Sequence, residues 1–311
     1  MKNILVYGLE FIGDSLFTTP FLRELRQLFP DSQITVLTGK RGAAVVLKNN
    51  PNINKIIELD KDFKIRKKFI RDSVFDTAFV LNTSLSAALE TRFGKVKKIY
   101  GQRKEGRGVL LTRSIRFDKN RHYADNHLLL LEKLFGVIPV FSLPEIFPDD
   151  NDKAAAISLL KQKVPEKGKG LVCLIPGTTN VSKAWSTENF SFLAAELNKY
   201  GFTCIAVGSG QDKELCSGIT NSINIAGLTT IHQLYHVFQE CTAVVSGDTG
   251  PLHIAGCVKE KQPHITALYG PTDPLLYGVY HYPKVKVIRK PCRLLSEISV
   301  SEVLASVIGN V

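Results

Sequence analysis

Val244-Val245-Ser246-Gly247-Asp248-Thr249-Gly250-Pro251-Leu252-His253 sets a strand, a tight turn and a helix start end to end. A run of β-formers from Ala243 to Ser246 ends on an acidic residue. A Thr-Gly-Pro turn follows, and Leu252-His253-Ile254-Ala255 opens a helix. Strand, tight turn and helix start in that order make an anion site. Free backbone N–H groups and the positive helix end both point beyond the strand. Pro251 suits the first helical turn, where its missing N–H is no loss. An ordinary β–α connection with Asp248 as a helix cap gives the same local pattern, so this stretch alone does not separate the two.

Outward from it, the same alternation repeats. Residues 2–7, 34–37, 56–59, 77–81 and 99–101 read as strands. Helical patterns at 14–29, 42–47 and 122–135 and a basic helix after residue 59 lie between or after them. A second series follows: strands at 170–175, 203–207, 223–226 and 265–269, with helices at 187–200, 231–239 and 299–308. Strands alternating with helices predict mostly parallel sheets covered on both faces, an α/β class. Between the series, residues 139–152 mix prolines with acidic residues. The expected domains are therefore 1–150 and 151–311, two Rossmann-like units facing across a cleft, with the final helix free to pack back on the first.

The 311 residues are 44% hydrophobic and 22% charged, ordinary for a soluble globular protein of about two domains. The short apolar run Ile4–Tyr7 does not read as a signal peptide, and no run approaches a membrane span. All six cysteines lie in the second half without a C-x-x-C pair, which predicts buried free thiols in a reducing compartment. The net charge of +11 calls for a polyanionic partner. Much of the excess is in Lys61–Arg71 and Lys95–Arg116, with no zinc-finger or RNP signature to indicate nucleic acid.

Several constellations carry chemistry. Thr178, Thr179 and Lys183 follow a strand and precede a helix; two hydroxyls and an ammonium suit a diphosphate, although the P-loop spacing is absent. Gly208-x-Gly210 with Asp212 is half a dinucleotide fingerprint, and a carboxylate there accepts a ribose hydroxyl. Asp14 lies between the first strand and its helix, as a cap or as a base facing a ligand. His232 and His236 lack the zinc-protease pattern, and Asp150-x-Asp152 reads as helix capping.

The chain resembles glycosyltransferase family 9, the ADP-heptose:lipopolysaccharide heptosyltransferases. The resemblance is carried by I-G-D-S-L-F-T-T-P (12–20), P-G-T-T-N-V-S-K-A-W-S-T-E-N-F (176–190), S-G-D-T-G-P-L-H-I-A (246–255) and L-Y-G-P-T-D-P (268–274). Tyr269 to Tyr280 is most similar to the member that adds the first heptose to Kdo-lipid A. The resemblance implies a GT-B fold, with acceptor binding in the first half and nucleotide-sugar binding in the second. It implies Asp14 as general base, with Lys183 sharing the catalytic work. Thr178, Thr179 and Lys183 fall on the diphosphate and Asp212, in place of a more usual Glu, on the ribose. Thr229 falls near the adenine, and Asp248, Thr249, Gly250 and His253 on heptose and phosphates. His122 matches a histidine facing the acceptor, and Arg66, Lys67, Lys68, Arg103, Arg107 and Arg113 are the basic candidates for its phosphates. Of the family's Cys-Pro-Cys segment only Pro291-Cys292 remains. The implied activity is inverting, with no metal and no cofactor. The donor would be ADP-heptose and the acceptor an anionic glycolipid, in a cytoplasmic protein peripheral on the inner membrane. Another nucleotide sugar, or a non-catalytic nucleotide-sugar-binding protein, is the alternative.

Overall fold

The computed structural model describes residues 1–104, 106–164, 168–178, 180, 183–290 and 295–309, so Thr179 and Cys292 lie outside the described residues. The chain divides into two compact units, Met1–Phe147 and Pro148–Val311. In the first, strands β1 (Asn3–Tyr7), β2 (Gln33–Thr38), β3 (Lys55–Glu58), β4 (Thr77–Val80), β5 (Lys98–Arg103) and β6 (Arg113–Arg116) are accompanied by helices α1 (Ile12–Leu16), α2 (Thr19–Leu28), α3 (Ala43–Leu47), α4 (Phe63–Asp72), α5 (Leu85–Phe93) and α6 (Tyr123–Phe135). The second opens with α7 (Asp150–Lys163). Strands β7 (Gly170–Ile175), β8 (Phe202–Ala206), β9 (Ile223–Asn224), β10 (Ala243–Gly247), β11 (His264–Tyr269) and β12 (Val285–Arg289) follow. Its remaining helices are α8 (Thr187–Lys199), α9 (Lys213–Ser217), α10 (Ile231–Gln239), α11 (Gly250–Ala255), α12 (Pro274–Tyr277) and α13 (Val300–Ile308).

The strands pair in parallel throughout both sheets, in the orders β3-β2-β1-β4-β5-β6 and β12-β11-β10-β7-β8-β9. Counted within its own unit, each sheet has the order 3-2-1-4-5-6. Winding reverses between the first and fourth strands, β1 and β4 in one unit and β7 and β10 in the other. Such a reversal opens a crevice at the carboxyl ends of those strands, where open α/β sheets bind ligands.

Local sequence explains the elements. Ile4-Leu5-Val6-Tyr7 and Leu171 to Ile175 are unbroken apolar runs because helices cover both faces of a parallel strand. The α7 cap is reciprocal. The Asp149 side chain accepts from the Asp152 N–H, and Asp152 accepts from the Asp149 N–H, so this acidic run serves the helix start. Asp152 also lies 3.6 Å from the Nδ1 of buried His232, tying α7 to α10.

Two expectations change. The single helix over 14–29 is two helices, because Pro20 restarts the backbone while the Thr18 and Thr19 hydroxyls bond back to Ser15 and Leu16. Strands β6 and β12 are additional edge strands; Arg-Ser-Ile-Arg and Val-Lys-Val-Ile-Arg are half-exposed and too polar to read as buried strands. Helix α13 packs on α8 and β11 of its own unit, its Val303 and Val307 entering the core with Trp185, Phe190 and Leu193.

Candidate active site

The site is built first on the pair of strands where the second sheet reverses. After β7 the chain runs through Pro176–Asn180 to Lys183, and Trp185 anchors the end of that passage. Its indole N–H donates to Ile298 O at 2.9 Å, and its ring meets Phe190 edge-on at 4.9 Å. That anchor lies two residues beyond Lys183 and limits where the lysine can go. The neighbouring strand β10 ends in Gly247, where a Cβ would stand 2.9 Å from the Lys183 carbonyl oxygen. Glycine is required there because the loop crosses the strand end in contact with its backbone.

The close crossing brings Lys183 to Asp248. The Nζ donates to Asp248 Oδ2 at 2.6 Å, while His253 Nε2 lies 3.5 Å from Asp248 Oδ1. Burial alone would raise the Asp248 carboxyl. Hydrogen bonds from His253 and Lys183, reinforced by their charges, override burial and hold it down at about 2. The buried Tyr269 hydroxyl, at the end of β11, is pushed upward by burial and then by the Asp248 charge. Asp248 is not the helix cap. Thr249 holds that position, without a side-chain cap bond, and its hydroxyl lies 3.2 Å from that of buried Ser246. Gly250 and Pro251 begin α11, so the first N–H groups of this helix open at the carboxyl edge.

The next loops join by contact. Asp212 lies over two glycines: a Cβ on Gly177 would stand 2.7 Å from its Oδ1, and one on Gly208 would stand 2.6 Å from its Cβ. Its Oδ2 accepts from the Ser209 N–H and hydroxyl, both at 2.7 Å, in a capping box. Half of the carboxylate expected at the ribose is thus engaged by its own loop. Thr178 accepts from the Asn180 N–H at 3.2 Å. Gly227, two residues before Thr229, packs so near Gly210 that a Cβ would stand 3.0 Å from its Cα. The loops after β7, β8, β9 and β10 therefore share one sheet edge, carrying Thr178, Lys183, Asp212, Thr229, Asp248, Thr249 and His253.

In the first unit, half-buried Asp14 lies in the first turn of α1, after β1 and beside the other reversal point. Phe11 occupies the cap position, so Asp14 is not a cap residue. His122 caps α6, its Nδ1 accepting from the Ala124 N–H at 3.1 Å, and packs edge-on against Phe17 at 4.6 Å.

The basic acceptor candidates separate by burial. Arg66 is a correction: its guanidinium is buried and donates to Asp60 O at 2.9 Å, Leu59 O at 2.8 Å and the Tyr7 hydroxyl at 2.7 Å, with Glu10 at 3.4 Å. Tyr7 in turn donates to Glu90 at 2.5 Å. Arg107 is a second correction. Also buried, it donates to the carbonyls of Gln102, Asn82, Ser84 and Val80, and desolvation pushes its guanidinium down to about 10. Arg113 is exposed, begins β6 at the amino edge of the sheet and reaches Leu134 O at 3.3 Å. An isolated arginine in a sequence does not reveal whether its fork satisfies backbone carbonyls or faces solvent. Exposed Arg103 ends β5 at the carboxyl edge, and Lys67 lies over the Phe63 ring at 5.7 Å.

Sequence reading missed Ser246 and Tyr269 as supports of the Asp248 cluster. Their signal was position: Ser246 is near the end of β10, at the reversal point, and Tyr269 ends β11, the next strand.

Comparisons with known proteins agree with this fold. The glycosyltransferase family 9 (heptosyltransferase) profile matches residues 63–294. Lipooligosaccharide heptosyltransferase 2 of Haemophilus ducreyi is 27% identical over 297 residues, covering 88% of this chain and 84% of that protein. The family 9 glycosyl transferase structure from Veillonella parvula superposes with a TM-score of 0.85 at 22% identity, covering 99% of this chain and 97% of that one. E. coli ADP-heptose LPS heptosyltransferase II superposes at 0.80 with 23% identity, over 100% and 98%. Two Rossmann-ordered units and the profile match together place this chain in glycosyltransferase family 9, as a glycosyltransferase of GT-B fold.

Proposed function

We propose that this glycosyltransferase moves a heptose from ADP-heptose to the Kdo-bearing inner core of lipopolysaccharide, inverting the anomeric carbon. The observation that carries the reading is the Lys183–Asp248–His253 cluster at the reversal point of the second sheet. The similarity to heptosyltransferases of Haemophilus ducreyi and E. coli supports its substrate class.

The chemistry follows from the residues. The donor diphosphate gathers negative charge as the glycosidic bond breaks. Lys183 and the opening N–H groups of α11 answer that charge, with Asp248 holding the ammonium in place until the anion arrives. Thr178 and Thr179 add hydroxyl donors, Asp212 accepts from the ribose through Oδ1, and Thr229 borders the adenine. Asp14 takes the proton of the acceptor hydroxyl, which attacks the anomeric carbon opposite the departing ADP. One displacement through an oxocarbenium-like state inverts the centre. Arg103, Lys67 and His122 remain the acceptor-side candidates.

The acceptor is an anionic glycolipid, so the protein works as a peripheral cytoplasmic enzyme at the inner membrane. Among the described residues no helix is long and apolar enough to cross a bilayer. Incubation with ADP-heptose and Kdo-lipid A tests the reading: a mass increment of one heptose supports it. ADP release with another acceptor and none with Kdo-lipid A would assign a different glycan.

A further inference from the structure

The outward side of α4 and the end of α5 form a face beside the acceptor-side candidate Lys67, whose Nζ lies 5.7 Å over the Phe63 ring. Phe63, Ile65 and Phe93 are 37%, 51% and 57% exposed, and the Phe63 and Phe93 rings meet at 6.3 Å. Helical spacing puts Lys64 and Lys68 one turn apart on the side opposite buried Arg66 and Ile70. Lys64 therefore stands between Phe63 on one flank and Ile65 on the other. Arg92 is exposed beside Phe93. Among the described residues Lys64, Lys68 and Arg92 form no ion pair, the neighbouring pairs being Lys40–Asp60, Arg66–Glu10 and Arg71–Asp72.

Single exposed apolar residues are ordinary. Here, however, two aromatic rings touch each other on adjoining helix ends, with an isoleucine and unpaired cations around them. We propose that this face docks the protein on an anionic lipid bilayer. Rings and isoleucine would enter the headgroup boundary, and Lys64, Lys68 and Arg92 would meet lipid phosphates. The charge has the sign such a surface needs, and each cation near it strengthens binding about fivefold. Position agrees as well. The first turn of α4 follows β3, so Phe63 to Ile65 lie at the carboxyl edge of the first sheet, the edge that also carries Asp14. The inference rests on the reading above only in taking the acceptor to be membrane-borne.

The test is co-sedimentation of the full chain with vesicles of phosphatidylethanolamine and phosphatidylglycerol, containing neither donor nor acceptor. The wild-type chain should sediment with them and be released by salt. The variants I65S/F93S and K64E/R92E should each lose about tenfold or more in partition. Thermal unfolding identifies a variant that has failed to fold, and the other then carries the test. Equal binding to pure phosphatidylcholine, no binding by the wild-type chain, or wild-type binding by a folded variant overturns the proposal. ADP release on a soluble, delipidated acceptor should be unchanged in both variants. Absence of that turnover in the wild-type chain, with vesicle binding intact, would count against the transferase substrate and leave the docking face standing.

Discussion

Lys183 Nζ lies 2.6 Å from Asp248 Oδ2, across the point where the second sheet reverses its winding. The lysine is 28% exposed and the carboxylate 10%, so the ammonium faces the sheet edge while the acid beneath fixes its position. A charge held this way needs little reorganisation when a diphosphate gathers negative charge, which is where preorganised electrostatics act most strongly.

Replacing Lys183 with alanine should therefore lower kcat/KM for the nucleotide sugar by ~100-fold, the usual cost of losing one such donor. Steady-state kinetics measure it. The Asp248→Asn variant should be non-additive with it, because each change disables the same pair. Additive losses would mean that the two residues act separately.

Asp14→Asn should reduce kcat by ~1000-fold, within the range for removing a general base, and leave ADP affinity within a few-fold. Calorimetric titration with ADP separates the two effects. Wild-type turnover in that variant would remove Asp14 from the role.

Arg107→Met should cost stability before it costs acceptor affinity. Four carbonyl oxygens lose a charged donor in a buried place, so a loss of about 3 kcal/mol is expected. Denaturant melts check this. A variant of native stability with a raised acceptor KM would restore Arg107 to the acceptor site.

Acid should weaken the second unit through Asp248. Its folded carboxyl, at about 2, sits below the ordinary 3.8, so the stabilisation is fully present above the ordinary value. It is lost as pH falls from about 4 to about 2, and amounts to about 2 kcal/mol. Urea melts across that interval should show a steeper decline for the wild-type chain than for Asp248→Asn.

Putting alanine at Gly247 tests the close crossing directly. Its methyl would meet the Lys183 carbonyl at 2.9 Å and push the lysine loop away from the strand end. Donor use should fall by ~10-fold or more while the fold persists, since overpacking of this kind costs about 1–3 kcal/mol. Unchanged donor kinetics would show that the loop is free to move without consequence.

The α/β alternation was legible along the chain, because unbroken apolar runs such as Ile4–Tyr7 and the turn Gly247–Pro251 are local signals. The sequence also marked Lys183, Asp248 and His253 as candidates, since each follows a strand within a distinctive motif. What those residues do to one another follows from the fold. Lys183 and Asp248 are 65 positions apart, and their meeting depends on β7 and β10 being neighbours at the sheet reversal. The same limit explains the arginines. Arg66 and Arg107 look like any other cation in a basic run, and whether a guanidinium turns inward depends on carbonyls that only folding brings near it. Edge strands β6 and β12 were illegible for a related reason: half-exposed segments are defined by the strand they join more than by their own pattern.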